Sequence, residues 1–206
     1  VPMDFWTEAR TTLDQIKPVF MLAEAEGNEL YQAFEMTYGW ELHHIMNDIA
    51  KGKKDAGAVH DFFAKPTLPN NGFQMNFTSN HDENSWNGTE MERLGEARLC
   101  FAVFAATIDG MPLVYNGQET SLDRRLKFFE KDPITFKNFE REKFYKTLLE
   151  LRKCNEALSA NTSFRKVLVG DEKAVYAYVR EKGNKKVFVI LNFSGIEQSV
   201  SLKESS

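Results

Sequence analysis

FQMNFTSNHDENSW, residues 73–86, runs from an apolar stretch into a histidine, an aspartate and a glutamate standing side by side. Its first half, FQMNFTS, reads as a strand. Ionisable groups crowded at a strand end are rarely there for packing, so the segment predicts a strand whose tip carries chemistry.

The same grammar extends in both directions. VFMLAEAE (19–26) reads as a buried strand ending in carboxylates, EMTYGW (35–40) as a second, and MPLVYNG (111–117) as a fourth. Helical patterns separate them. DFWTEARTTLDQIK (4–17) places Phe5, Ala9, Leu13 and Ile16 at helical spacing, and Pro18 stops it. NELYQAF (28–34) reads as a short helix, and WELHHIMNDIAKG (40–52) and KDAGAVHDFFAK (54–65) as two more. Thr89 and Glu92 have the spacing of a capping box and open a long helix through MERLGEARLCFAVFAATI (91–108). NFEREKFYKTLLELRKCNEAL (138–158) makes the last. Repeated strand–helix alternation implies parallel strands joined by right-handed crossovers.

Near residue 160 the period changes. FRKVLVG, KAVYAYVRE, KKVFVILNFSG and EQSVSLK alternate apolar with polar residues, with turns at Gly170–Asp171 and Gly183–Asn184. They predict antiparallel hairpins in a separate small sheet. The division is 1–158 for the α/β part and 159–206 for the β part.

Composition narrows the function. The 206 residues are 42% hydrophobic and 27% charged, with a net charge of -4 and no basic block, which argues against a nucleic-acid partner. No apolar run approaches the roughly 20 residues that span a bilayer. The opening VPMDFWTEAR has neither the basic start nor the apolar core of a signal peptide. Cys100 and Cys154 fall in helical segments and read as structural.

Each parallel strand ends in polar groups: Glu24 and Glu26, Tyr38, His81 and Asp82, Tyr115 and Asn116. In parallel sheets and barrels that edge carries the chemistry. Glu24 follows VFML, so apolar neighbours beneath it would favour its protonated form and suit it to donate a proton. Asp82, beside His81 and near Asn80, would be held ionised. An acid facing a carboxylate is the arrangement of glycoside cleavage, though strand-end acids also cap helices or pair with bases.

FTSNHDEN (77–84) resembles the region of the α-amylase family of glycoside hydrolases that reads F-x-x-N-H-D. FMLAEAEG resembles the region in which a strand ends in the family's general acid. GMPLVYNGQE resembles its barrel-closing strand and loop, and the tail resembles its last barrel helix and the start of its C-terminal β-domain. The resemblance runs through essentially the whole chain in order. It implies an α/β fold: the second half of a (β/α)8 TIM barrel, strands five to eight, followed by a partial antiparallel β-sandwich domain.

It also implies roles. Glu24 matches the acid/base, Asp82 the carboxylate that stabilises the transition state, and His81 the histidine that binds the sugar being cleaved. The family's nucleophilic aspartate has no match here and is expected upstream of Val1, so residues 1–206 alone are expected to be inactive. No cofactor is expected in this part, calcium being a feature of family segments that it lacks. The implied partner is an α-glucan oligosaccharide or polysaccharide. The open half-barrel is expected to pair with its other half or with a second copy. A transglycosylase of the same family, and a non-catalytic glycan binder on a degenerate barrel, are the alternatives. Family members work outside the cell, in the periplasm or in the cytoplasm.

Further candidates follow from position. Trp86 and Tyr38 are expected to stack on sugar, with Trp40 and Tyr115 as lesser aromatics near strand ends, and Glu26 to orient Glu24 or bind a hydroxyl. Glu119 is expected to organise its loop, and DRRLKFFEKD (123–132) lines the cleft or lies in solvent. His43 and His44, adjacent on a helix, point about 100° apart and do not suit one metal ion.

Overall fold

A computed structural model describes residues 1–201. Helix α1 (Met3–Ile16) precedes strand β1 (Leu22–Ala23), a 3-10 turn (Asn28–Gln32) and β2 (Met36–Tyr38). Helices α2 (Trp40–Ala50) and α3 (Gly57–Phe63) lead to β3 (Phe73–Phe77), then α4 (Glu90–Leu94), α5 (Arg98–Thr107), β4 (Met111–Leu113) and α6 (Glu142–Cys154). β1 to β4 form one parallel sheet in sequence order.

The strands are shorter than their apolar runs. β1 keeps two paired residues because its ends are held otherwise: the Met21 amide donates to Glu35 Oε2 at 2.8 Å, and Met21 O accepts from Glu35 N and Met36 N. The segment after β1 forms only a 3-10 turn, packed through Tyr31. The long helix predicted over 91–108 is broken. The Thr89–Glu92 capping box forms as expected, but Gly95 takes φ 55°, a left-handed value that ends α4 before α5 starts.

The second sheet is antiparallel, β5 (Ser163–Val167), β6 (Val175–Lys182) and β7 (Lys185–Asn192) in order. Residues 197–201 of the predicted fourth strand form no strand; the rest of that segment lies outside the described residues. One face of this sheet joins the principal core. Tyr176, Tyr178, Val189, Leu191 and Phe193 pack with Leu42, Ile45 and Met46 of α2 and Phe101 and Phe104 of α5. Arg180, fully buried in β6, bonds Thr107 O, Asp109 Oδ1, Ser159 O and Thr162 Oγ1, fastening the second sheet to the end of α5 and the turn that leads into β4.

Phe20 and Leu22 at the β1 edge and Met111 at the β4 edge are exposed apolar residues. The expected pairing with further barrel strands or a second copy falls on these two edges.

Candidate active site

The tips of β1 and β3 bring three predicted residues together. His81 Nε2 lies 3.1 Å from Glu24 Oε1 and 3.7 Å from Asp82 Oδ1. One donor atom from each of Glu24, His81 and Asp82 lies within 4.8 Å of the other two. They come from two segments far apart in sequence, Glu24 from one and His81 and Asp82 from the other, and parallel pairing through β2 aligns the two strand ends.

Glu24 does not stand over apolar neighbours as expected. Its side chain is 51% exposed, and its partner is the His81 imidazole. Asn80 does not hold Asp82: it is buried, and its Oδ1 accepts from the Glu83 amide at 2.8 Å. Tyr38 ends β2 beside the cluster. Burial raises its hydroxyl pKa first, and the negative charges of Glu24 and Asp82 raise it further. Its ring packs on Trp40 and Phe77.

Glu26 points elsewhere. Its carboxylate accepts from Gln74 Nε2 at 2.6 Å and from the Glu41 amide at 3.0 Å, near the start of α2. It neither orients Glu24 nor faces the cluster; an acid two residues along from a strand tip has found a helix terminus to cap. Trp86 is 56% exposed, with its ring 5.2 Å from Phe128. Tyr115 receives its loop's support through Gln118, whose Oε1 accepts from the Tyr115 amide. Glu119 accepts from Gly117 N and organises that loop.

Beneath the cluster lies a network that sequence reading missed. His43 Nδ1 donates to Phe77 O at 3.0 Å, and its Nε2 lies 2.9 Å from Glu83 Oε2. Asn87 Nδ2 donates to Glu83 Oε1, and Arg93 donates to Thr78 O, Gly88 O and Asn47 Oδ1. Burial pushes the Glu83 carboxyl up, but its bond and charge interaction with His43, the Asn87 bond and the Arg93 charge outweigh that and lower it to about 2. The network fixes the π-helical turn Glu83–Asn87 that follows Asp82. Its one visible signal was His43 and Asn47 a helical turn apart; Glu83 and Arg93 are far away in sequence.

Two carboxylates and an imidazole could also ligate a divalent cation. Concavity does not mark the place. A cleft of about 810 Å³ lies against Glu26, Tyr31, Phe63, Gln74 and Phe164, and none of Glu24, His81 or Asp82 lines it. An open four-stranded sheet supplies only one wall to the groups at its strand tips.

Comparison with known proteins gives these features a context. The family model described as alpha-amylase SusG C-terminal domain matches residues 175–206. A cyclomaltodextrinase from Thermoanaerobacter pseudethanolicus is 24% identical over 97% of this chain and 37% of its own length. A maltogenic α-amylase, AmyB from Thermotoga neapolitana, is 27% identical over 94% of this chain and 46% of its own, with a TM-score of 0.83. An α-amylase from Lactobacillus plantarum shares the fold at 22% identity and a TM-score of 0.82, over all of this chain and 53% of its own. The chain thus spans about half the length of these solved relatives and less of the curated one. Over nearly its whole length the chain is thus similar to α-amylase-family proteins, and its four-stranded parallel sheet followed by a separate antiparallel sheet is consistent with part of such a barrel and the start of a C-terminal β-domain.

Proposed function

We propose that the protein carrying this chain is a retaining glycosidase acting on α-glucans such as maltooligosaccharides, with Glu24 as acid/base, Asp82 as transition-state stabiliser and His81 as a sugar ligand. The observation that carries the reading is the convergence of Glu24, His81 and Asp82 at the tips of neighbouring strands.

In this reading Glu24 gives its proton to the glycosidic oxygen as the bond to the anomeric carbon breaks. The Asp82 carboxylate and His81 hold hydroxyls of the distorted ring, and their bonds strengthen as the ring gains oxocarbenium character. Tyr38 walls the site beside both carboxylates. A retaining reaction also needs a carboxylate that bonds to the anomeric carbon. The cluster among the described residues holds only the two carboxylates of Glu24 and Asp82. In this reading that nucleophilic carboxylate comes from a part of the protein outside residues 1–206. Water attacking the intermediate gives hydrolysis; a sugar hydroxyl gives transfer, and product analysis separates the two.

The test is maltooligosaccharide turnover by the full-length protein against Glu24→Gln and Asp82→Asn. Each should lower kcat by roughly 100-fold or more. Both side chains are partly exposed, so both variants should stay folded. Rates equal to wild type in both would overturn the assignment.

A further inference from the structure

Beside the cluster stands a row of aromatic rings open to solvent. Phe128 stacks on His81, ring centroids 5.9 Å apart and planes 26° from parallel. Phe128 in turn lies 5.2 Å from Trp86 and 4.8 Å from Phe129, and Trp86 lies 6.0 Å from Phe129. Exposure is 39% for Phe128, 56% for Trp86 and 85% for Phe129. Leaving three large rings together in water is unfavourable, and a contiguous exposed apolar patch of this kind marks a binding surface.

The row is held in place. Its rings come from two loops far apart in sequence, joined by buried Asn84: Nδ2 donates to Arg124 O at 3.2 Å, and Oδ1 accepts from Leu126 N at 2.8 Å. Arg125 pairs with Glu92, and Thr89 bonds Asp123, on the same seam. Asp132 closes the second loop by accepting from Lys127 N and Arg124 Nη1. Polar bonds thus position the loops, one face of Phe128 is taken by His81, and Trp86 and Phe129 keep most of their surface exposed.

We propose that Trp86, Phe128 and Phe129 form a stacking wall for the glucosyl unit adjoining the one held by Glu24, His81 and Asp82. The wall begins on His81 itself, so a chain whose ring sits at the cluster meets these faces with its next unit. Its ligand is a neutral pyranose, which offers C–H faces to the rings and hydroxyls to water. This deepens the proposed glycosidase reading and rests on it for the identity of the first ring.

The experiment uses the full-length protein and two substrates. α-Glucosyl fluoride fills only the position of the cleaved ring; maltopentaose extends beyond it. The ratio of their kcat/KM values, maltopentaose over fluoride, should fall roughly tenfold in Trp86→Ala and in Phe129→Ala. Trp86→Phe and Phe129→Tyr should recover most of that ratio. An unaltered ratio in both alanine variants overturns the wall. Should wild-type protein turn over neither substrate, the glycosidase reading fails separately, and calorimetric binding of maltopentaose decides the wall. Affinity about tenfold weaker in Phe129→Ala supports it, and equal affinity overturns it.

Discussion

Glu83→Gln should cost about 3 kcal/mol of stability near neutral pH and almost nothing at pH 2. The Glu83 carboxyl is buried, and His43, Asn87 and Arg93 lower its pKa from 4.5 to about 2. At about 1.4 kcal/mol per pH unit, that difference sets the size of the effect. Its sign follows from the folded value lying below the unfolded one. The contribution is complete above about pH 4.5, declines as the pH falls, and is gone once the folded-state carboxyl is protonated near pH 2. The same size follows from the partner left behind, since removing one member of a buried ion pair commonly costs about 3–5 kcal/mol. Urea unfolding at a series of pH values, wild type against Glu83→Gln, isolates the term because every other carboxylate titrates in both proteins. The two curves should diverge as pH rises through the acid range and then run parallel. A variant as stable as wild type at pH 7, or a gap undiminished at pH 2, would refute the reasoning.

Arg180→Met keeps most of the side-chain volume but removes every bond from the guanidinium to Thr107, Asp109, Ser159 and Thr162. It should lower stability by about 3 kcal/mol, read as a lower denaturant midpoint, because Asp109 and three further acceptors lose a buried charged donor. Gly110 sits at φ 110°, and a Cβ there would meet Gln74 O and come within 2.8 Å of Asn76 Nδ2. Gly110→Ala should therefore cost more than about 2 kcal/mol at the β3–β4 junction, seen as a lower Tm; an unchanged Tm would contradict the close approach.

Much of the architecture was legible in the chain. Period-3.6 and apolar runs located the four parallel strands and most helices, and the shift to period 2 near residue 160 located the second sheet. Thr89 and Glu92 announced their cap, because a capping box is a local arrangement of two side chains three residues apart. The break at Gly95 was weaker evidence than the apolar run around it. Strand lengths were overestimated, since an apolar run shows what is buried and not which amides find a ladder partner.

The sequence by itself determined which residues could take part in chemistry: an acid after VFML, and a histidine and aspartate after FQMNFTSN. Only the tertiary structure decided which of them meet. Parallel pairing through β2 carries Glu24 to within 3.1 Å of His81 and lets Glu26, two residues on, turn to the start of α2. Glu83 looked like another acid of the reacting face, yet folding buried it against His43 and Arg93, 40 residues before it and 10 after. Phe128 and Phe129 read as part of a charged loop until Asn84 joined that loop to the strand tip. The physical reason is common to all of these: periodicity and capping act over a few residues, whereas burial, charge pairing and ring stacking depend on separations that exist only once the strands have chosen their neighbours.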